Sequence, residues 1–305
     1  MRQLLKNPAA LLAVPLCLAL AGCPAQRPGL LNIDPSLESL VPQDTVFVAG
    51  ANLDAIRDTT VYKKLLARAP LPQLDDFARQ TGLDPRKDLS QILSCSNGKR
   101  GLLMARGKFN RADLEARLEH QGATPISYKN HRLYGNENQA ITFLNDSTAV
   151  AGPTNQLRSI LDGHSNAGLP PALRDLLRTL PHNDQIYAAL SGGLSGLNLA
   201  APENSNLANI MQALRSVNSA TLGMDLGSGL QLAAAVTCNT ERDAKFVHDL
   251  LRGMIGLGRL NTPDNQPEML KLYDAIQVTQ HETRTEVAAN ISQQQADKFL
   301  DLWLK

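Results

Sequence analysis

Read for the spacing of apolar and polar positions, the chain breaks into short strands, tight polar turns, and helices with one apolar face. A polar turn at Pro42-Gln43-Asp44 leads into Thr45-Val46-Phe47-Val48-Ala49-Gly50 and on to Asn52-Leu53, a buried strand with a glycine-containing exit. Gln91 to Ser96 and Gly101 to Phe109 then flank Asn97-Gly98-Lys99-Arg100. Asn-Gly admits the positive φ that a hairpin turn needs. A helix follows, capped by Asn110, with Asp113 in its opening turn, Leu114 and Leu118 on one face and Gly122 at its stop. Ile141 to Leu144, a turn at Asn145-Asp146 and Thr148 to Gly152 make a second hairpin, ahead of a helix bearing Leu157, Ile160 and Leu161.

The same series recurs later in the chain. Pro181-His182-Asn183-Asp184-Gln185 leads into Ile186-Tyr187-Ala188-Ala189 and Ser191-Gly192, and Ala220 to Leu226 and Leu230 to Cys238 flank Gly227-Ser228-Gly229. Asn239 or Thr240 opens a helix whose Val247, Leu250, Leu251 and Met254 form one apolar stripe. Ile276 to Thr279, a turn near Glu282-Thr283, and Thr285 to Ile291 precede a last helix with Ala296, Phe299, Leu300 and Trp303, opened by Ser292 and Gln295 at capping-box spacing. The expected fold class is α+β, in two similar halves, each an antiparallel sheet with helices packed on one face, as a duplication would produce. The halves, residues 41–166 and 167–305, would meet in the glycine- and proline-rich stretch Asp162 to Pro171. Two further amphipathic segments, one with Leu74, Phe77, Ala78 and Thr81 and one with Leu207, Ile210, Met211 and Leu214, are expected to pack on the sheets.

Ahead of these elements the pattern changes. Arg2 and Lys6 precede the apolar run Ala9 to Leu20, which ends in Leu20-Ala21-Gly22-Cys23. A charged segment, a short apolar segment and small residues before a cleavage point make an export signal. The run contains Pro15 and falls short of the roughly 20 apolar residues that span a bilayer. Leu20-Ala21-Gly22-Cys23 resembles the lipobox of bacterial lipoproteins. That resemblance implies a signal peptide over residues 1–22, with Leu20, Ala21 and Gly22 recognised by a lipoprotein signal peptidase. It also implies a diacylglyceryl group on the Cys23 sulfur and an acylated amino group. Each buried methylene contributes about 0.8 kcal/mol and two chains already anchor stably, so Cys23 would be held permanently, with this covalent lipid as the only cofactor expected. Pro24 stands where enterobacterial lipoproteins retained at the inner membrane carry Asp, which favours the outer membrane, facing the periplasm. Residues 23–40, with Pro24, Pro28, Gly29 and Pro35, read as a tether.

Charge removes one class of partner. Without residues 1–22 the chain keeps 283 residues and, since Arg2 and Lys6 leave with the leader, 28 basic against 29 acidic side chains. A near-neutral chain with no basic stripe has no electrostatic reason to bind nucleic acid. At 43 % hydrophobic its composition supports an ample core. Of the four cysteines, Cys17 belongs to the leader and Cys23 to the lipid site, leaving Cys95 and Cys238. In an oxidising compartment these two either pair, adding about 4 to 5 kcal/mol by closing a long loop, or stand as isolated buried thiols.

Candidate chemistry is sparse. His120, His131, His164, His182, His248 and His281 are scattered, and His281-Glu282 has no second histidine a helical turn later, so no metal is expected. Ser191-Gly192-Gly193-Leu194-Ser195-Gly196 comes closest to a ligand loop. It lacks the lysine and hydroxyl of a phosphate loop and the nucleophile elbow of a hydrolase, and reads as a strand exit. Gly253, Gly256 and Gly258 lie at the end of an apolar helix, where close packing or termination accounts for them. Asp84-Pro85-Arg86-Lys87-Asp88 reads as a solvated turn, without the oxygen-ligand pattern of a calcium loop. One tryptophan, Trp303, on the inward stripe of the last helix, leaves no aromatic platform for sugars.

In their order, Phe47-Val48-Ala49-Gly50-Ala51-Asn52-Leu53-Asp54, Asp84-Pro85-Arg86-Lys87-Asp88-Leu89 and Leu257-Gly258-Arg259-Leu260 look like a group of uncharacterised bacterial envelope proteins of acidobacterial type. The resemblance spans most of the mature chain, and because that group has no established activity it implies no functional residue. The expected role is a non-enzymatic lipoprotein that binds or scaffolds an envelope protein partner. The alternative is a carrier of an apolar ligand or lipid in a cavity between sheet and helices. A hydrolase whose residues converge only in the fold is the third reading.

Overall fold

A computed structural model describes residues 31–68, 71–163, 168–193, 215–263 and 265–303. The first run of strands is β1 (Phe47–Asn52), β2 (Leu89–Ser96), β3 (Gly101–Gly107), β4 (Thr124–Tyr128), β5 (His131–Gly135), β6 (Gln139–Asn145) and β7 (Thr148–Pro153). The second is β8 (Ile186–Ser191), β9 (Val217–Asp225), β10 (Gly229–Cys238), β11 (Ile276–His281) and β12 (Arg284–Ser292). All twelve form one sheet in the order β11-β12-β10-β9-β8-β1-β2-β3-β7-β6-β5-β4, and every neighbouring pair is antiparallel.

The α+β class stands, but the expected pair of separate sheets does not. β1 pairs with β2 on one edge and with β8 on the other, in the register Val48↔Ala189 and Gly50↔Tyr187. Both strands are apolar on each face, so an unpaired edge on either would expose amides beside hydrophobic surface; joining the two edges removes both. Hairpin β2–β3 turns at Gly98 (φ 85°) as the Asn-Gly signal predicts. Hairpin β4–β5 was not foreseen, because its turn uses Lys129 (φ 51°) and contains no glycine.

The helices are α1 (Pro35–Glu38), α2 (Leu53–Asp58), α3 (Thr60–Arg68), α4 (Pro72–Thr81), α5 (Pro85–Asp88), α6 (Arg111–His120), α7 (Thr154–Leu161), α8 (Pro171–Leu177), α9 (Glu241–Leu260), α10 (Pro267–Asp274) and α11 (Gln293–Trp303). They cover both faces of the sheet, not one. On the first face Val48, Leu93, Met104, Leu133 and Val150 pack under Leu37 of α1, Leu157 and Ile160 of α7, and Leu173 and Leu177 of α8. On the second, Phe143 and Ala149 lie under Leu114 and Leu118 of α6, while Phe47, Leu190 and Val236 lie under Ala244, Val247 and Leu251 of α9. Consecutive strand residues point to opposite faces, so adjacent apolar pairs such as Phe47-Val48 and Ala149-Val150 give each face a surface to cover.

The folded part begins earlier than the tether expectation allowed. Leu31, Leu37, Leu40 and Val41 are buried in the first core. Asp34 accepts from Ser36 N at 2.8 Å to cap α1, donates its own N–H to Gln91 Oε1 at 2.9 Å, and pairs with Arg106 at 3.0 Å. The spacing of Ile33, Leu37 and Leu40 along a helical face was the signal for this, masked by the neighbouring prolines. The described end of the glycine- and proline-rich crossing is packed too: Gly168, Leu169 and Pro170 are buried, and Gln43 Nε2 donates to the Gly168 carbonyl at 2.8 Å. Helix α4 packs against α6 and not on the sheet, which leaves Phe77 42 % exposed.

Candidate functional site

Helix α9 carries the largest exposed apolar surface among the described residues. It starts where Thr240, in extended conformation, accepts from Asp243 N at 3.2 Å. Glu241 and Asp243 in its first turn and Arg259 in its last oppose the helix dipole. Ala244, Val247 and Leu251 form its inner face, pinned by Thr285 Oγ1, which donates to the Ala244 carbonyl at 2.8 Å. Its outer face carries Phe246 (40 % exposed), Leu257 (61 %) and Leu260 (83 %), and Met254 (60 %) is exposed at the flank. Along the single stripe expected from Val247, Leu250, Leu251 and Met254, burial falls off toward the end of the helix: Val247 is buried, Leu250 and Leu251 are half-buried, and Met254, two turns after Val247 on the same side, is exposed. The helix has two apolar faces, and only one meets the sheet.

Its three glycines also divide. A β carbon at Gly258 would stand within 3.0 Å of the Tyr273 ring of α10, so close packing accounts for that glycine. One at Gly253 or Gly256 would meet nothing within 4 Å. Arg242, Lys245 and Arg252 are exposed on the same helix. Lys245 pairs with Asp249 at 3.4 Å and Arg259 with Asp274, whereas Arg242 and Arg252 have no ion pair among the described residues.

A second unusual feature lies in the turn before β8. Asp225 is buried and fully engaged: it accepts from Asn183 Nδ2, from Gln185 Nε2 at 2.7 Å and from Gly227 N at 2.7 Å. Asp184 beside it is 9 % exposed, lies against Gly223, and its Oδ2 has no hydrogen-bond partner. Burial, then the Asp225 charge, raises its carboxyl to about 6.

The lipidation and signal-peptidase residues, Cys23 with Leu20, Ala21 and Gly22, lie outside the described residues, as do His164, Leu194 to Gly196, the segment bearing Leu207 to Leu214, and the Trp303 side chain. Cys95 and Cys238 are free and buried, which corrects the disulfide alternative. They sit on strands β2 and β10, four steps apart in the sheet. At about 4.8 Å per step that far exceeds the roughly 7 Å limit for bridging. Burial pushes the Cys95 thiol up to about 11. Native protein should therefore resist alkylation at both sites and then take up two labels after denaturation without reductant; a mass unchanged by alkylation under those conditions would show a bridge.

Three clefts among the described residues gather polar side chains. One of about 340 Å³ holds Asp44, Arg100 and Ser159; another of about 410 Å³ holds Arg111, Glu115 and Asp146; a third of about 240 Å³ holds Thr221, Arg284 and Glu286. None brings a histidine to a carboxylate and a hydroxyl. Among the described residues no three metal-ligating side chains converge, and no helix is long and apolar enough to cross a membrane.

No protein-family model matches the chain, and none of the curated proteins does. Among solved structures it is similar to crystal form III of TP0453, at 10 % identity and a TM-score of 0.47, over 89 % of this chain and 98 % of that one. Crystal form IV of the same protein gives 10 % identity and 0.47, over 92 % and 99 %.

Proposed function

We propose that the chain is a non-enzymatic lipoprotein of the cell envelope, held through acylated Cys23 at the outer membrane facing the periplasm, and that it binds a partner through exposed apolar surface. The outer stripe of α9 carries this reading. Phe246, Leu257 and Leu260 recur at spacings that put them within about 60° of one another on the side of the helix away from Ala244 and Leu251, with exposed Met254 at their flank, and an exposed apolar patch on a folded protein marks an interaction site. The leader with its Leu20-Ala21-Gly22-Cys23 ending supports the anchor.

Duplication is part of the proposal. The first run orders its strands β1-β2-β3-β7-β6 and the second β8-β9-β10-β12-β11, each a strand followed by two hairpins with a helix between them. The hairpin β4–β5 is then an addition to the first copy.

The carrier reading has one observation in its favour. On the face that α9 covers, Ala49, Ile92, Ile186, Leu222, Leu232 and Val287 are only half-buried, whereas Val48, Leu93 and Ala189 on the other face are at most 1 % exposed. Intact mass of native material decides the anchor: Cys23 is expected as the acylated first residue, and Cys23→Ala as unprocessed precursor. An unmodified sulfur on a processed chain refutes the anchor. Stoichiometric apolar ligand in a solvent extract of the same sample would replace the partner surface with a carrier.

A further inference from the structure

We propose that the partner of the outer α9 surface is a second copy of this chain, whose own α9 lies antiparallel across the first so that the two helices cross at Gly253. This deepens the partner-binding reading and rests on it for the choice of surface, not for the anchor.

The glycines are the first support. Gly253 lies inside a 20-residue helix, where glycine costs about 1 kcal/mol relative to alanine. Nothing in the folded chain requires that cost: an added β carbon would meet no atom within 4 Å, and the same holds at Gly256, three residues on. A missing side chain on an open helix face lets another backbone approach closely, and the distance between two packed helices is set by the side chains at their contact.

The spacing around Gly253 makes this surface complementary to itself. Phe246 stands seven residues before it and Leu260 seven after, each about 10.5 Å along the axis and, with Leu257, within about 60° on the side away from Ala244 and Leu251. In two copies crossing antiparallel at Gly253, Phe246 of each meets Leu260 of the other, so large apolar side chains close both ends of the glycine crossing. A parallel pair would instead set Asp249 beside its own copy.

Charge selects the same arrangement. Residues 241–249 carry three acids, Glu241, Asp243 and Asp249, against two bases, Arg242 and Lys245, whereas residues 250–260 carry Arg252 and Arg259 and no acid. Antiparallel crossing lays the acidic half of each helix along the basic half of its copy and sets the two helix dipoles in opposition. The exposed apolar side chains are Phe246, Met254, Leu257 and Leu260, fewer than the roughly 20 to 30 residues that bury about 800 Å² on each side of a stable pair. The pairing is therefore a weak, reversible one, and chains held on one surface gain it through their effective concentration.

The test is sedimentation equilibrium of the mature chain with Cys23→Ser, so that no anchor contributes, from about 10 to 500 µM. Molar mass is expected to rise from one chain toward two and no further. Gly253→Leu adds apolar surface and so would strengthen unspecific association, but it should weaken a pair that crosses at the glycine by at least about tenfold. Its melting temperature should not fall, because leucine enters open space and favours the helix. Leu260→Gln should weaken the pair by about tenfold. Orientation is read by mixing Phe246→Cys and Leu260→Cys chains under mild oxidant: they should cross-link to each other and not to themselves, since like positions stand about 21 Å apart along antiparallel axes, and Cys95 and Cys238 are buried. A chain that stays monomeric throughout overturns the proposal, as does a dimer that Gly253→Leu leaves unchanged or strengthens, or faster self-linking of Leu260→Cys than linking in the mixture. A monomer alongside acylated native Cys23 removes the pairing and leaves the envelope anchor; pairing alongside an unmodified Cys23 removes only the anchor.

Discussion

Replacing Gly50 by alanine is expected to destabilise the protein by about 3 kcal/mol, at the upper end of the usual cost of overpacking. Intrinsic preference points the other way, since a glycine inside a strand is worse than alanine by about 0.5 to 1 kcal/mol. Sterics decide the sign. Gly50 on β1 faces Tyr187 on β8 across the join between the two strand runs. The tyrosine ring lies directly over the glycine, and an added β carbon would fall closer than 3.0 Å to its hydroxyl and ring carbons. Tyr187 is 4 % exposed and packed within the first core, so its ring has no free space to move into. Urea unfolding of Gly50→Ala, Tyr187→Leu and the double variant measures this. The double variant should lose less than the sum of the singles, because a smaller side chain at 187 relieves the collision. A Gly50→Ala midpoint equal to or above that of the parent would show that the ring does not fix the join.

Asp184→Asn is expected to raise stability by about 2 kcal/mol at pH 7. Burial beside Asp225 holds the Asp184 carboxyl at about 6 in the folded chain, above its ordinary value of 3.8. Between these two values the folded state binds the proton more tightly than the unfolded state. Stability from this group is therefore undiminished below the lower value, declines as pH rises through the window, and stays reduced above it. The asparagine variant never ionises, so its advantage over the parent should grow from nothing near pH 4 to its full size by about pH 7. Paired urea titrations across that range read the difference directly. A constant offset, or one that shrinks with rising pH, would mean that Asp184 is solvated or has a partner.

Much of the fold was legible as local chemistry. Asn97-Gly98 placed a turn, Asn110 and Thr240 accept the hydrogen bonds of helix caps, and Ser292 with Gln295 forms the reciprocal capping pair, with Ser292 N donating to Gln295 Oε1 at 3.0 Å. Each is settled within a few residues by hydrogen-bond geometry. Hairpin β4–β5 escaped because its turn places a lysine in the left-handed region, where a side chain contributes no turn signal. The first turn of the fold, α1, escaped because prolines around it read as tether, although Pro35 in fact stands at the helix start, where proline is favoured.

By itself the sequence determined most of the strands and helices, their order and the neutral charge balance, since periodicity, capping and turn preferences act between near neighbours. Only the tertiary structure decided that β1 and β8 share an edge, that helices clothe both faces, and that Cys95 and Cys238 stay apart. It also decided which of the two apolar faces of α9 meets water, and that Asp184 is buried without a partner. The reason is common to all of these: they depend on which distant strand a given edge or face meets, and spacing along the chain holds no record of that meeting.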